Sequence, residues 1–265
     1  MSDNWVLMEK QGYVATLIIN RPEMKNSLNI AMLITLARFL DELGKSDDVR
    51  AVVIRGEGGK AFSSGYNIAE IPHDITPAYL EQLQGKNPLD IGLEAVERYP
   101  YPVIAMIEGY ALGAGCELAL TCDLRIASAE SRMGIPPSRL GIIYHPAGIQ
   151  KLVNIVGLAN AKEIIYTGRY YDMVRAQQMG MVNYVVPREE LAAFTYGLAE
   201  EIAGNAPLSL KGHKHIFRKL LRYQGLQEED VPGIERRIRE AFDSEDCRAG
   251  AAAFFAKRKP VFQGR

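Results

Sequence analysis

Residues 108–120, EGYALGAGCELAL, hold the densest set of chemical possibilities in the chain. A strand is predicted to end at Ile107, a turn with three glycines follows, and a helix is predicted to begin near Gly113. The first N–H groups of a helix have no acceptor within it and carry the positive end of its dipole. Small residues let a ligand approach that backbone, so Gly113, Ala114 and Gly115 could cradle a developing oxyanion. Glu117 sits one turn in, where a carboxylate can face the same cavity. A plainer reading fits these residues equally: the glycines permit close helix–strand packing, and Glu117 complements the dipole.

A second small-residue turn follows another predicted strand, in GGKAFSSGYNIAEI at 58–71. It could offer a further backbone donor at Tyr66, or it is an ordinary turn with Asn67 near a helix cap. Two such turns would supply the convergent pair of N–H donors that a developing oxyanion needs. A third stretch, RMGIPPSRLGIIYHPAGIQK at 132–151, is a Pro- and Gly-rich loop that carries Tyr144 and His145 but no carboxylate.

Other chemistries fail on spacing. GYALGAG is not the dinucleotide fingerprint, there is no phosphate-binding Walker sequence, and no GxSxG elbow marks a serine hydrolase. His213 and His215 fall on different faces of a helix, which is a poor metal pair. The three cysteines, Cys116, Cys122 and Cys247, have neither disulfide-framework nor zinc spacing. A net charge of −1 gives no long-range attraction to nucleic acid or an anionic membrane. The basic segment 211–225 carries an apolar stripe of Ile216, Leu220 and Leu221, so a solvated amphipathic helix is expected there rather than an RNA surface. The polar, acid-containing start does not read as a signal peptide, and no window has the length of a membrane span. A reduced, cytoplasmic protein is the expectation.

The elements that must position these residues follow from periodicity. Buried strands are predicted at 13–20, 50–58 and 102–111, with shorter ones at 124–128 and 183–187. Helices are predicted at 30–46, 113–122, 158–167, 173–179, 189–204, 207–222 and 230–242, with a last one near 246–257. Strand–helix alternation followed by a helical tail predicts an α/β core with an amphipathic appendage that docks on the core or on another subunit.

Taken together, PVIAMIEGYALGAGCELALTCDLRIAS, AFSSGYNIAEI and AFFAKRKPVF make the chain resemble the crotonase (enoyl-CoA hydratase/isomerase) superfamily from INRPEMKNSLN to its C-terminus. The resemblance implies an α/β fold, a spiral of ββα units over residues 1–200, with a helical, trimer-forming region over 201–265. It implies a homotrimer or homohexamer acting on acyl-CoA thioesters, with no cofactor beyond the CoA of the substrate and no metal. The oxyanion donors would be the N–H groups of Tyr66 and Ala114. CoA would lie near Gly65, Asn67 and Ile68, with Phe254 and Lys257 reaching the nucleotide of a neighbouring subunit and Lys25 contacting phosphate.

Hydratases of the family generally use two glutamates. Glu117 matches the first, but Pro137 stands at the position of the second. Syn addition of water uses one group to deprotonate the water and another to relay the proton, so the loss disfavours ordinary hydration. The chain is most similar in pattern to the methylmalonyl-CoA decarboxylase subgroup, which also lacks the second glutamate and has a tyrosine matching Tyr144. It departs in having Tyr66 where that subgroup has histidine. Decarboxylation of a malonyl- or methylmalonyl-type thioester is the expectation. A single-glutamate isomerase or an atypical hydratase using Glu117 is the alternative, and an RNA-binding relative the non-enzymatic one.

Overall fold

The computed structural model describes residues 4–67, 88–136 and 144–223, with short pieces and single positions between 232 and 265. Its strands form two sheets. The larger has the order β1(Val6–Gln11), β2(Val14–Ile19), β3(Ala51–Gly56), β5(Val103–Ile107), β7(Leu124–Ser128), β10(Tyr184–Val186), parallel except for the β1–β2 hairpin. The smaller has the order β4(Ala61–Ser63), β6(Tyr110–Leu112), β8(Arg132–Gly134), β9(Tyr171–Asp172). After each of β3, β5 and β7 the chain moves into the smaller sheet, through β4, β6 and β8. This repeated exchange is the turn of a ββα spiral.

The central strands are apolar throughout because both faces are covered. Leu17, Ile19, Val52, Ile54, Val103, Ala105 and Ile107 point into the main core, which helix α1(Ile30–Leu43) and helix α2(Pro88–Arg98) enclose. The alternate residues Val14, Ala51, Val53, Ile104 and Met106 meet α6(Leu191–Ala203) through Leu191, Ala199 and Ala203. Helix α1 is capped by Asn29, whose side chain accepts from Met32 N at 3.0 Å. Among the described residues the other α-helices are α3(Ala114–Thr121), α4(Pro146–Thr167), α5(Met173–Gln178) and α7(Pro207–Tyr223).

Predicted and observed elements agree for β2, β3, β5, β7, β10, α1, α3, α5, α6 and α7 within a few residues at their ends. Two differences matter for function. Helix α4 starts at Pro146, inside the segment that reads as loop, and is broken at Gly157 (φ 76°, ψ 159°). Helix α2 has no counterpart among the predicted elements. Its Gly92 lowers helix propensity, yet a Cβ there would come within 2.8 Å of Leu33 Cδ2, so glycine is what lets α1 and α2 cross closely. The helices predicted at 230–242 and 246–257 lie mostly outside the described residues.

Helix α7 is fixed to the core through Lys214. Its buried ammonium donates to Val96 O (3.1 Å), Tyr101 O (2.9 Å) and Asp123 Oδ2 (2.6 Å), and Asp123 Oδ2 also accepts from Val103 N (2.7 Å). Lys214→Met removes three charge-assisted donors and leaves two carbonyls and a half-buried carboxylate short of partners. The expected cost is about 2 kcal/mol. Thermal unfolding of the variant should fall by about 5 °C.

Candidate active site

The two donor turns are in contact. Gly65 has φ 102°, and a Cβ on it would lie 2.8 Å from Leu112 O and 3.5 Å from Ala114 N. Gly113, the N-cap of α3, has φ 52° and no side-chain cap. Ala114 N–H is therefore the first of the helix, and it finds no acceptor among the described residues. Gly115 serves packing instead. A Cβ there would be 2.6 Å from Ser63 O, so its absence lets α3 lie against β4. Close packing thus accounts for Gly115, while Gly113 and Gly65 leave the backbone at Ala114 uncovered by side chains.

The early turn braces this pair from the other side. Lys25, exposed and left-handed (φ 51°), accepts from Ser64 N at 3.0 Å through its carbonyl. Leu28 N donates to Gly65 O (2.8 Å) and Asn67 N donates to Leu28 O (2.9 Å), forming a bridge between Leu28 and Tyr66. Buried Asn26 fixes the turn by donating to Glu57 O and Ala61 O and accepting from Arg21 N. Lys25, Gly65, Tyr66, Asn67 and Ala114 are so brought to one place. Ile68, Phe254, Lys257 and Pro137 lie outside the described residues.

Glu117, one turn into α3, is only 2% exposed. Its Oε2 accepts from the Tyr144 hydroxyl at 2.5 Å. Burial and then the Glu117 charge hold the Tyr144 phenol well above its ordinary range, so it stays a donor. Its Oε1 is 2.8 Å from His145 Nε2, an ion-pair contact without the alignment of a full hydrogen bond. The Tyr144 and His145 rings meet edge to face, with centroids 4.9 Å apart.

The helix beneath sets this geometry. His145 is the N-cap of α4, its Nδ1 accepting from Gly148 N at 3.3 Å, and Pro146 occupies the first helical position. An Nδ1 that accepts leaves the ring proton on Nε2, facing Glu117; this tautomer is assigned from the bonding pattern. Gly148 admits the cluster, since a Cβ there would lie within 2.9 Å of His145 Nε2, Tyr144 Cε1 and Glu117 Oε1. The Glu117 contact raises the His145 pKa, against burial, which lowers it.

Two participants carry no strong signal in the sequence. His145 stands out there only as the neighbour of Tyr144, although the His-Pro pair is a helix-start signal. Asp90, in the first turn of α2, is near enough to feel both Glu117 and His145; burial raises its carboxyl, His145 opposes this, and Glu117 adds to it. Among the described residues, no group of three or more His, Cys, Asp or Glu is placed to hold a metal, and no helix is long and apolar enough to cross a membrane.

Known proteins show the same architecture. Residues 9–265 match the enoyl-CoA hydratase/isomerase family. The short-chain-enoyl-CoA hydratase of Clostridium acetobutylicum is 34% identical, over 98% of this chain and 97% of that protein. The methylmalonyl-CoA decarboxylase of Escherichia coli is 31% identical over the whole of both. The crystal structure of an enoyl-CoA hydratase from Bacillus anthracis superposes with a TM-score of 0.87 at 31% identity, over 99% of this chain and all of that one. Hydratase names predominate among the relatives compared. With the spiral fold, the paired donor turns and a match over nearly its full length, the chain belongs to the enoyl-CoA hydratase/isomerase family and is a crotonase-superfamily enzyme of acyl-CoA chemistry.

Proposed function

We propose that this enzyme holds a thioester enolate oxygen between the N–H groups of Tyr66 and Ala114, and that it forms the enolate by decarboxylating a malonyl- or methylmalonyl-CoA-type substrate. The observation that carries the proposal is the state of Glu117. One of its oxygens accepts from the Tyr144 hydroxyl and the other lies against His145 Nε2, where a hydratase would pair it with a second carboxyl across a water.

Loss of carbon dioxide needs no base. It needs the breaking C–C bond aligned with the thioester π system and stabilisation of the charge that develops on the thioester oxygen. Tyr144 is suited to the first of these. With Glu117 carrying a proton, its Oε2 is a weaker acceptor for the Tyr144 hydroxyl, and the phenol donates instead to the substrate carboxylate. This also removes the repulsion that an ionised Glu117 would exert on that carboxylate. When carbon dioxide departs, Glu117 protonates the α-carbon. Tyr144→Phe is expected to slow carbon dioxide release by about 10- to 100-fold, the range for one hydrogen bond to a charged group. The same variant should bind the neutral propionyl-CoA as the parent does. An unchanged rate of release would remove Tyr144 from the reaction.

Lys25, Gly65, Asn67, Ile68, Phe254 and Lys257 are assigned to CoA binding, with the last two acting across a trimer or hexamer. Phe217 and Leu221 of α7, 63% and 57% exposed, support that self-association. A second reading, isomerisation or atypical hydration of an enoyl thioester with Glu117 as base, is favoured by the hydratase names and by Asp90, which could serve as a further acid.

A further inference from the structure

We infer that His145 is the positioning and relay residue of Glu117: it fixes Oε1 of the buried carboxylate and carries solvent protons to it. The inference rests on the reading of Glu117 as the acid that protonates the enolate. Decarboxylation of an anionic acyl group consumes one proton per turnover, and that proton must reach Glu117. At 2% exposure the carboxylate has little direct contact with water. Tyr144, on Oε2, retains its own proton. On Oε1 the neighbour is His145, whose side chain is 36% exposed and whose Nε2 stands 2.8 Å away. Of the two titratable side chains described in contact with Glu117, it is the one whose ring can both take up and pass on a proton.

The proton balance is simple. Solvent protonates the ring, giving an imidazolium. The imidazolium passes its Nε2 proton to Oε1, leaving a neutral ring with its proton on Nδ1 and a protonated Glu117. Glu117 gives that proton to the α-carbon of the enolate and is again a carboxylate. The ring returns to the Nε2–H form by exchange with solvent. Protonation of Nδ1 requires release of Gly148 N–H, and at 3.3 Å that bond is long for its type.

The groups that face His145 set when it charges. Glu117 of α3 and Asp90 of α2 favour the imidazolium; Lys151 of α4 opposes it. Lys151 is itself held by Glu97 (2.8 Å) and Thr121 (2.7 Å). Gly148 donates from the positive end of α4, which also opposes a charge on the ring.

Two variants and two assays test the inference. His145→Gln keeps a donor in reach of Oε1 but cannot relay a proton; His145→Asn keeps the helix cap and loses the contact. One assay is carbon dioxide release from methylmalonyl-CoA across a pH range from about 5.5 to about 9, which spans the titration of a histidine. The other is solvent deuterium entry at the α-carbon of propionyl-CoA, which needs the Glu117 proton to exchange but needs no decarboxylation. Both variants should lose at least about tenfold in kcat and in exchange, with KM changed less than about threefold. The fall of wild-type rate at high pH should disappear, and free imidazole should restore part of the activity. Wild-type exchange and pH dependence in His145→Gln would overturn the relay. Exchange that depends on His145 without any carbon dioxide release would leave the relay standing and refute decarboxylation. Absence of both in the wild-type protein would refute both.

Discussion

Replacing Ala114 with proline is expected to lower kcat by about 10²–10³-fold, the range for removal of one oxyanion-hole donor, while the protein remains folded. The substitution is specific because of where Ala114 lies. It is the first residue of α3, a position where the backbone N–H has no helical partner and where proline's fixed φ suits the helix. The preceding residue is the usual obstacle, since proline disfavours an α conformation before it. Gly113, at φ 52° and ψ −123°, is not in that region. The variant thus removes the donor without disturbing the helix, and the proline Cδ takes the place of its hydrogen. Circular dichroism should show an unchanged melting profile, and CoA-thioester affinity should fall far less than turnover. A variant that turns over within a factor of about three of the parent, far short of the loss of one donor, would take Ala114 out of the oxyanion site.

The second large effect is expected at Glu117. Glu117→Gln keeps the size of the side chain and an oxygen for the Tyr144 hydroxyl, but it removes the acid. Turnover should fall by about 10²-fold or more. A qualitative change should accompany the loss. When the reaction runs on methylmalonyl-CoA in deuterium oxide, the parent should place deuterium on one face of the propionyl α-carbon. The Glu117→Gln protein should scramble it, because water then protonates the enolate. The amide nitrogen would also confront the Nε2–H of His145, forcing the ring to the other tautomer and releasing its cap on Gly148. About 1 kcal/mol of stability should be lost with that cap. Undiminished turnover with retained stereochemistry would remove the acid role.

The proposed reacting groups are more legible in the sequence than their surroundings are. Strands β2, β3, β5 and β7 stand out because each is buried on both faces and reads as a continuous apolar run. Strands β4, β6 and β8 do not. Each is three residues long and sits inside or beside a glycine-rich turn, so its residues look like the turn itself. The donor turns are legible as turns; that Gly65 lies against Ala114 depends on pairing between β4 and β6, which no local pattern encodes.

The Tyr144–His145 segment shows the opposite case. Its proline and glycine content reads as loop, yet His145-Pro146 begins a helix and Gly148 is the space into which the Glu117 cluster fits. The absence of a carboxylate there is visible in sequence. The bond from Tyr144 to Glu117, which gives that absence its chemical meaning, spans 27 residues and two elements. Asp90 is hidden for a similar reason: its proximity to Glu117 is set by the packing of α2 beside α3, and α2 has a glycine at its centre.

Decarboxylation is tested most directly by incubating the purified enzyme with carboxyl-labelled malonyl-CoA and methylmalonyl-CoA, and in parallel with crotonyl-CoA and a 3-enoyl-CoA. Label released as carbon dioxide and enoyl absorbance are followed together. The expected result is release of labelled carbon dioxide in step with acetyl-CoA or propionyl-CoA, at a rate well above any change in the enoyl substrates. Turnover of crotonyl-CoA or the 3-enoyl thioester with no labelled carbon dioxide from either malonyl-type substrate would contradict it.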